Sequence, residues 1–203
     1  MQELSAANRI FLSLLRRRMG HADGAAPFGL DRRCGTLILH LDAEGLDLAA
    51  SCPFALFSLD FENRAAWLGL LERRVSEPGL PSWSLDEPEL NQFLLMVLAA
   101  IRYLSCREPY AASMLYGMSP DLSRKLANLD LVTLAKLASD ARSRLRVTLA
   151  DSPIFWRDFL LLSRDRVTRG AAAVRVLGLQ LTMQRALGLT NCHANGGRLI
   201  RSG

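Results

Sequence analysis

Three times from residue 87 onward a proline stands where an apolar run of helical period begins: Glu87-Pro88, Ser119-Pro120 and Ser152-Pro153. Proline has no backbone N–H and a φ fixed near −65°. At the first helical turn it therefore costs nothing, whereas in the interior it breaks the helix. The acids before Pro88 suit the positive end of a helix dipole, and Ser119 serves as an N-cap. Helices are thus expected over "PELNQFLLMVLAAIRYLSC", "PDLSRKLANL" and "PIFWRDFLLLSRDR". "PYAASMLYG" and "LDLVTLAKLAS" read as shorter helices between them, and two last helices are expected at about 168–178 and 180–187. "SRLRVTLAD" alternates like one isolated strand, with Arg142, Arg144 and Arg146 on one side and Leu145 and Val147 on the other.

The first part of the chain has a different texture. "LSAANRIFLSLLRRRM" reads as a helix capped by Ser5. "TLILHLDAEGLDLAAS" has alternating apolar residues on both sides of a turn-like "DAEG", which predicts a β-hairpin, with "FALFSLDF" as a third strand. "ENRAAWLGLLERRVSE" returns to a helical period. A stretch holding three prolines and a glycine follows, "PGLPSWSLDEP". The expected class is mainly α: a small α+β unit over 1–78 with a β-hairpin or three-stranded sheet, a proline-rich linker at 79–88, and a helical domain over 89–203 with a helix-turn-helix-like end.

Half of the 203 residues are hydrophobic and 22% are charged, so there is enough apolar material for a core and wholesale disorder is disfavoured. The longest apolar run, "FLLMVLAAI", is half a membrane span and reads as a buried helix. No membrane association is expected. Cys34, Cys52, Cys106 and Cys192 form no CxxC pair, and His21, His40 and His193 complete no zinc pattern, so no metal is expected. With no secretory pattern at the N-terminus, these cysteines fit reduced thiols in the cytoplasm. No Gly-rich phosphate loop, GxSxG elbow, HExxH or recognisable carboxylate pair is present. The expectation is therefore a non-enzymatic protein with no cofactor and no evident small-molecule substrate.

Charge is uneven along the chain. Residues 1–85 hold nine arginines against ten acids, whereas from Arg164 onward seven arginines face Asp165 alone. Such a local excess suits a polyanion, and equally a solvated tail or an acidic partner protein. The last residues, "LGLTNCHANGGRLIRSG", can be read as the second half of a helix-turn-helix. In this reading "LTMQRALG" is the first helix, "LGL" the turn, and Thr190 caps the second helix. Thr190, Asn191, His193 and Asn195 would then offer hydrogen-bonding groups to base edges near a helix N-terminus. Arg198 and Arg201 would hold phosphates, with Arg185 and Arg169 extending the basic surface. Gly196 and Gly197 each cost such a helix about 1 kcal/mol relative to alanine. Arg142, Arg144 and Arg146 would either add phosphate contacts or protect an edge strand by charge.

One stretch carries a resemblance, "LYGMSPDLSRKLANLDLVTLAKLASDARSRLRVTLADSPIFWRDFL". Its order of glycine, capped helix, leucine-spaced helix, strand-like segment and further helix resembles FlhD, one half of the flagellar master regulator. The last part, "AAAVRVLGLQLTMQRALGLTNCHANGGRLIRSG", resembles the N-terminal helical region of FlhC. In this order the two parts are more similar still to a bacterial domain family of integrative and conjugative elements, in which FlhDC-like activators switch on transfer genes. The resemblance covers about 89–201 and lacks the zinc-binding cysteines of FlhC. It implies a DNA-binding transcriptional regulator, one subunit of an activator complex controlling mobile-element or other inducible genes. The implied partners are duplex DNA and either a partner regulator subunit or a second copy. The alternative is a non-enzymatic adaptor or assembly protein of a conjugation or secretion system, for which the unmatched residues before 79 speak.

Overall fold

The structure, a computed structural model, describes residues 2–21, 27–76, 87–166 and 168–186. Two aspartates decide the architecture near the N-terminus. Asp31 accepts hydrogen bonds from the backbone N–H groups of Arg33 (2.9 Å) and Cys34 (3.4 Å), and Asp42 accepts one from Gly45 (2.7 Å). Both are helix N-caps. The stretch expected as a β-hairpin is therefore a pair of short helices, α2 (Arg32–Leu39) and α3 (Ala43–Ala50), and "DAEG" is a helix start and not a strand turn. The apolar residues fit the longer period: Cys34 and Ile38 point inward from α2, and Leu46, Ala49 and Ala50 from α3, while Thr36 and Leu39 are exposed.

The rest is mainly helical, with a two-stranded antiparallel sheet. Helix α1 (Gln2–His21) buries Leu4, Ala7, Phe11, Leu12, Leu14 and Leu15 along one stripe. Strand β1 (Phe57–Ser58) lies within the expected third strand and β2 (Arg146–Val147) within the expected isolated one. They pair with each other in the register Phe57↔Val147 and Ser58↔Arg146. Helix α4 is Arg64–Ser76, and α5 (Pro88–Arg107), α6 (Pro109–Tyr116), α7 (Pro120–Ala127), α8 (Leu131–Ala141) and α9 (Pro153–Arg164) follow the proline and cap signals. Asp130 caps α8 through the Thr133 N–H at 2.7 Å, and α6 ends at Gly117 in the left-handed conformation (φ 67°) that favours glycine.

The two helices expected at 168–178 and 180–187 are one, α10 (Thr168–Ala186). Gly178 does not break it. A Cβ there would stand 2.5 Å from Phe54 Cζ and 2.7 Å from Phe155 Cε2, so the glycine lets the helix lie directly on two rings.

Helix α5 is the central element, touching α1, α6, α7 and α8, while α9 packs against α2, α3 and α10. Phe93, Leu94, Val97, Leu98 and Ile101 of α5 are all buried, each worth about 1.5–3 kcal/mol of burial free energy. At the centre, Phe57 of β1 lies 5.5 Å from Phe11 of α1 and 5.2 Å from Phe93 of α5, ring centre to ring centre. Side chains from both sides of the proline-rich stretch thus share one hydrophobic core.

Candidate nucleic-acid interface

The basic stretch begins at the end of α9, and two of its arginines, Arg166 and Arg175, turn back onto the fold. Arg164 pairs with Asp165 at 2.7 Å. Arg166, in a left-handed turn (φ 55°), pairs with Asp42 at 2.6 Å and Glu44 at 2.9 Å. The N–H of Gly45 and then Arg166 hold the Asp42 carboxyl below the ordinary carboxylate range, and hydrogen bonding to Asp42 pushes Arg166 further up. One helical stretch later, half-buried Arg175 donates from Nη2 to the Leu48 carbonyl in the last turn of α3. A cation at a helix C-terminus and acids at its N-terminus both complement the dipole. Helix α3 is therefore gripped at its two ends by arginines from the α9–α10 region, which would have counted as DNA-facing by charge alone.

The trio Arg142, Arg144 and Arg146 behaves similarly. Arg142 and Arg144 belong to a 3₁₀ turn that continues α8, so the three do not share one face of a strand. Arg142 pairs with Glu87 at 2.6 Å, and Arg144 with Asp60 at 3.4 Å while its guanidinium lies 5.9 Å from the centre of Trp67. Arg146, on β2, is exposed and donates to the Leu145 carbonyl at 2.9 Å.

Of the expected DNA-contacting residues, Arg169 and Arg185 lie on α10. Sixteen positions at 1.5 Å each put their backbones about 24 Å apart along the axis. Thr190, Asn191, His193, Asn195, Arg198 and Arg201 lie outside the described residues, as do the "LGL" turn and the glycine pair. Leu181, in the stretch expected as the first helix of the helix-turn-helix, is half-buried against the core.

Beside α10 is a feature the sequence did not signal, a cleft of about 470 Å³ between the strand pair, the end of α6 and α10. Its polar lining includes Ser58, Asp60, Glu62, Arg146, Asp151 and Thr182, and its apolar lining includes Ala55, Val147, Leu149 and Ala150. Three of its wall residues, Asp60 (φ 58°), Gly117 (φ 67°) and buried Leu149 (φ 56°), have left-handed backbone. A bulky residue such as Leu149 is held there only by its surroundings. Thr148 supplies that hold: its N–H donates to the Leu56 carbonyl (2.9 Å), its hydroxyl to the Ala55 carbonyl (2.7 Å), and its carbonyl accepts Trp156 Nε1–H (2.7 Å).

Among the described residues no three His, Cys, Asp or Glu side chains gather in a way that could hold a metal ion, and no helix is long and apolar enough to cross a membrane. Comparison of the chain with protein-family models, with curated proteins and with solved structures gives no match.

Proposed function

We propose that this protein is a DNA-binding transcriptional regulator acting in the cytoplasm, one subunit of an FlhDC-like activator complex that controls mobile-element or other inducible genes. Its DNA contact is the C-terminal segment, with Arg198 and Arg201 on phosphates and Thr190, Asn191, His193 and Asn195 near base edges. The observation that supports this reading is where the positive charge is left over. Arg142, Arg144, Arg164, Arg166 and Arg175 are all engaged within the fold, whereas no acid follows Asp165 in the sequence. In the sequence, the basic residues that follow Asp165 besides these are Arg169, Arg185, Arg198 and Arg201. Arginine–phosphate contacts release counterions, so affinity should fall steeply with salt.

The test is binding of the purified protein to promoter duplexes across a salt series. Arg198→Ala with Arg201→Ala should weaken binding and lower the slope of log K against log salt by roughly two. Unchanged affinity and slope would remove the tail from the interface. A second reading, a non-enzymatic adaptor, draws on the exposed face of α10: Ala173, Val176, Leu177, Gln180 and Gln184 carry no charge, and Val176 and Leu177 are about half exposed. No affinity for duplex DNA at low salt, together with a stoichiometric protein complex, would favour that reading.

A further inference from the structure

We propose that the cleft between the strand pair and α10 is the docking site for the chain's own Arg198-Leu199-Ile200-Arg201 segment, which it holds in competition with DNA. Three features of the molecule meet here. The first is position. Thr182 of α10 lines the cleft and packs 3.6 Å from where a Cβ on Gly117 would stand, and α10 is described to Ala186, one turn further on. Eleven residues lie between Ala186 and Arg198, a tether of at most about 40 Å when extended. A tether this short makes closure an intramolecular event with a modest entropic cost.

The second feature is charge. Asp60, Glu62 and Asp151 line the cleft, against Arg146 as the lining cation and Arg144 paired to Asp60 from one side. The segment brings two guanidiniums and no carboxylate side chain. Each guanidinium is a planar fork suited to carboxylate oxygens, and an added arginine extends an existing ion-pair network without needing a vacant partner. The third feature is the apolar pattern. The two arginines flank Leu199 and Ile200, and the cleft that holds the carboxylates is also lined by apolar Ala55, Val147, Leu149 and Ala150. A volume of 470 Å³ is the size of a pocket that takes a few side chains.

The docking stands without DNA. Its regulatory consequence rests on the DNA-binding reading above: carboxylates and phosphates compete for the same two arginines, so the cleft lowers affinity for non-specific DNA. Two measurements test it on the full chain. In the first, R198K is treated with a carbodiimide, which joins its amine as an amide to a carboxylate within reach. Mass spectrometry should find the link at Asp60, Glu62 or Asp151, and links confined to other carboxylates overturn the proposal. This variant leaves the core untouched.

In the second, Asp60→Asn, Glu62→Gln and Asp151→Asn are combined. Asparagine tolerates the left-handed conformation at position 60, so the turn is kept. Trypsin should then cut after Arg198 and Arg201 several-fold faster than in the parent, and equal rates overturn the docking. Duplex DNA should bind several-fold tighter. If the cross-link and the cleavage change appear but no duplex binds, the docking stands and the DNA reading falls. If duplex binds and both docking signals are missing, only the docking falls.

Discussion

Asn8 is the polar residue on which the join between α1 and the strand pair depends. It sits within the apolar stripe of α1 and is wholly buried. Its Oδ1 accepts the Leu56 N–H at 2.9 Å, while Nδ2 donates to the carbonyls of Phe54 (3.0 Å), Ala50 (3.3 Å) and Cys52 (3.5 Å). Two protons serve three carbonyls, so the bond to Phe54 carries most of the donation. Asn8→Ala leaves at least the Leu56 N–H and the Phe54 carbonyl in the core without this partner. Each buried group orphaned in this way costs about 1–3 kcal/mol, so the loss should be about 2–6 kcal/mol. That is a large part of the 5–15 kcal/mol typical of a folded domain. The assay is equilibrium unfolding in urea. With a slope near 2 kcal/mol/M, the midpoint should drop by about 1–3 M with little change in slope. Asn8→Asp, similar in shape but unable to donate when ionised, should be at least as damaging at pH 7 because it also buries a charge. A loss below about 1 kcal/mol for Asn8→Ala is what an exposed substitution gives, and would refute the claim that these bonds are made in solution.

Two glycines in helices should respond oppositely to alanine. Gly69 on α4 is exposed, with nothing within 4 Å of an added Cβ, so Gly69→Ala should raise stability by about 0.5–1 kcal/mol. Gly178→Ala should lower it by about 1–3 kcal/mol through overpacking against Phe54 and Phe155, read as a fall in Tm. Burial pushes the Cys52 thiol up to about 12, and burial raises Cys34 as well. Of the three described cysteines, exposed Cys106 should therefore react first with a thiol reagent at pH 8, and Cys52 only on unfolding. The caps Asp42 and Asp130 are held below the ordinary carboxylate range, first by the N–H groups of Gly45 and Thr133. A folded pKa below the unfolded one gives stability that is present above about pH 4 and is lost as pH falls through the folded values. Urea midpoints for the parent should therefore fall more steeply below pH 4 than those of Asp42→Asn. Equal slopes would count against the cap.

The helices of the second half were legible because their starts are written in local chemistry. Pro88, Pro120 and Pro153 each stand at a first helical position, and Gly117 ends α6. The segment 36–51 departs from the expected hairpin because alternation over a few residues fits both periods, and the N-caps at Asp31 and Asp42 select the helical one. A capping aspartate three positions before Gly45 was the available signal. Gly178 misled in the other direction. A glycine that ends a helix and one that lets it approach a ring look alike until the ring is placed. The cleft had no local signal at all, since β1 and β2 are almost ninety residues apart in sequence and meet only through the register Phe57↔Val147. Asn8 was detectable in principle as a polar residue inside an apolar stripe, but not its partners at 50–56.

A sum of charges along a chain cannot tell a cation that faces solvent from one already spent, and here the difference decides which residues are candidates for DNA. Arg166 and Arg175 lie in the most basic part of the sequence, yet they close on the acids and on a terminal carbonyl of α3, which the sequence places more than 120 residues away. Their role is to fix the start of α10 on the body. A rigid start is what a DNA-contacting tail requires, because contacts made from an ordered base lose less entropy on binding than contacts from a loose one. The same arginines thus serve the proposed function indirectly. Loss of Arg175 should destabilise the seating of α10 and weaken DNA binding without reducing its salt slope, whereas loss of Arg198 should reduce the slope and change stability by no more than about 1 kcal/mol, the scale of an exposed ion pair. Measuring both quantities on both variants separates an arginine that positions the interface from one that belongs to it.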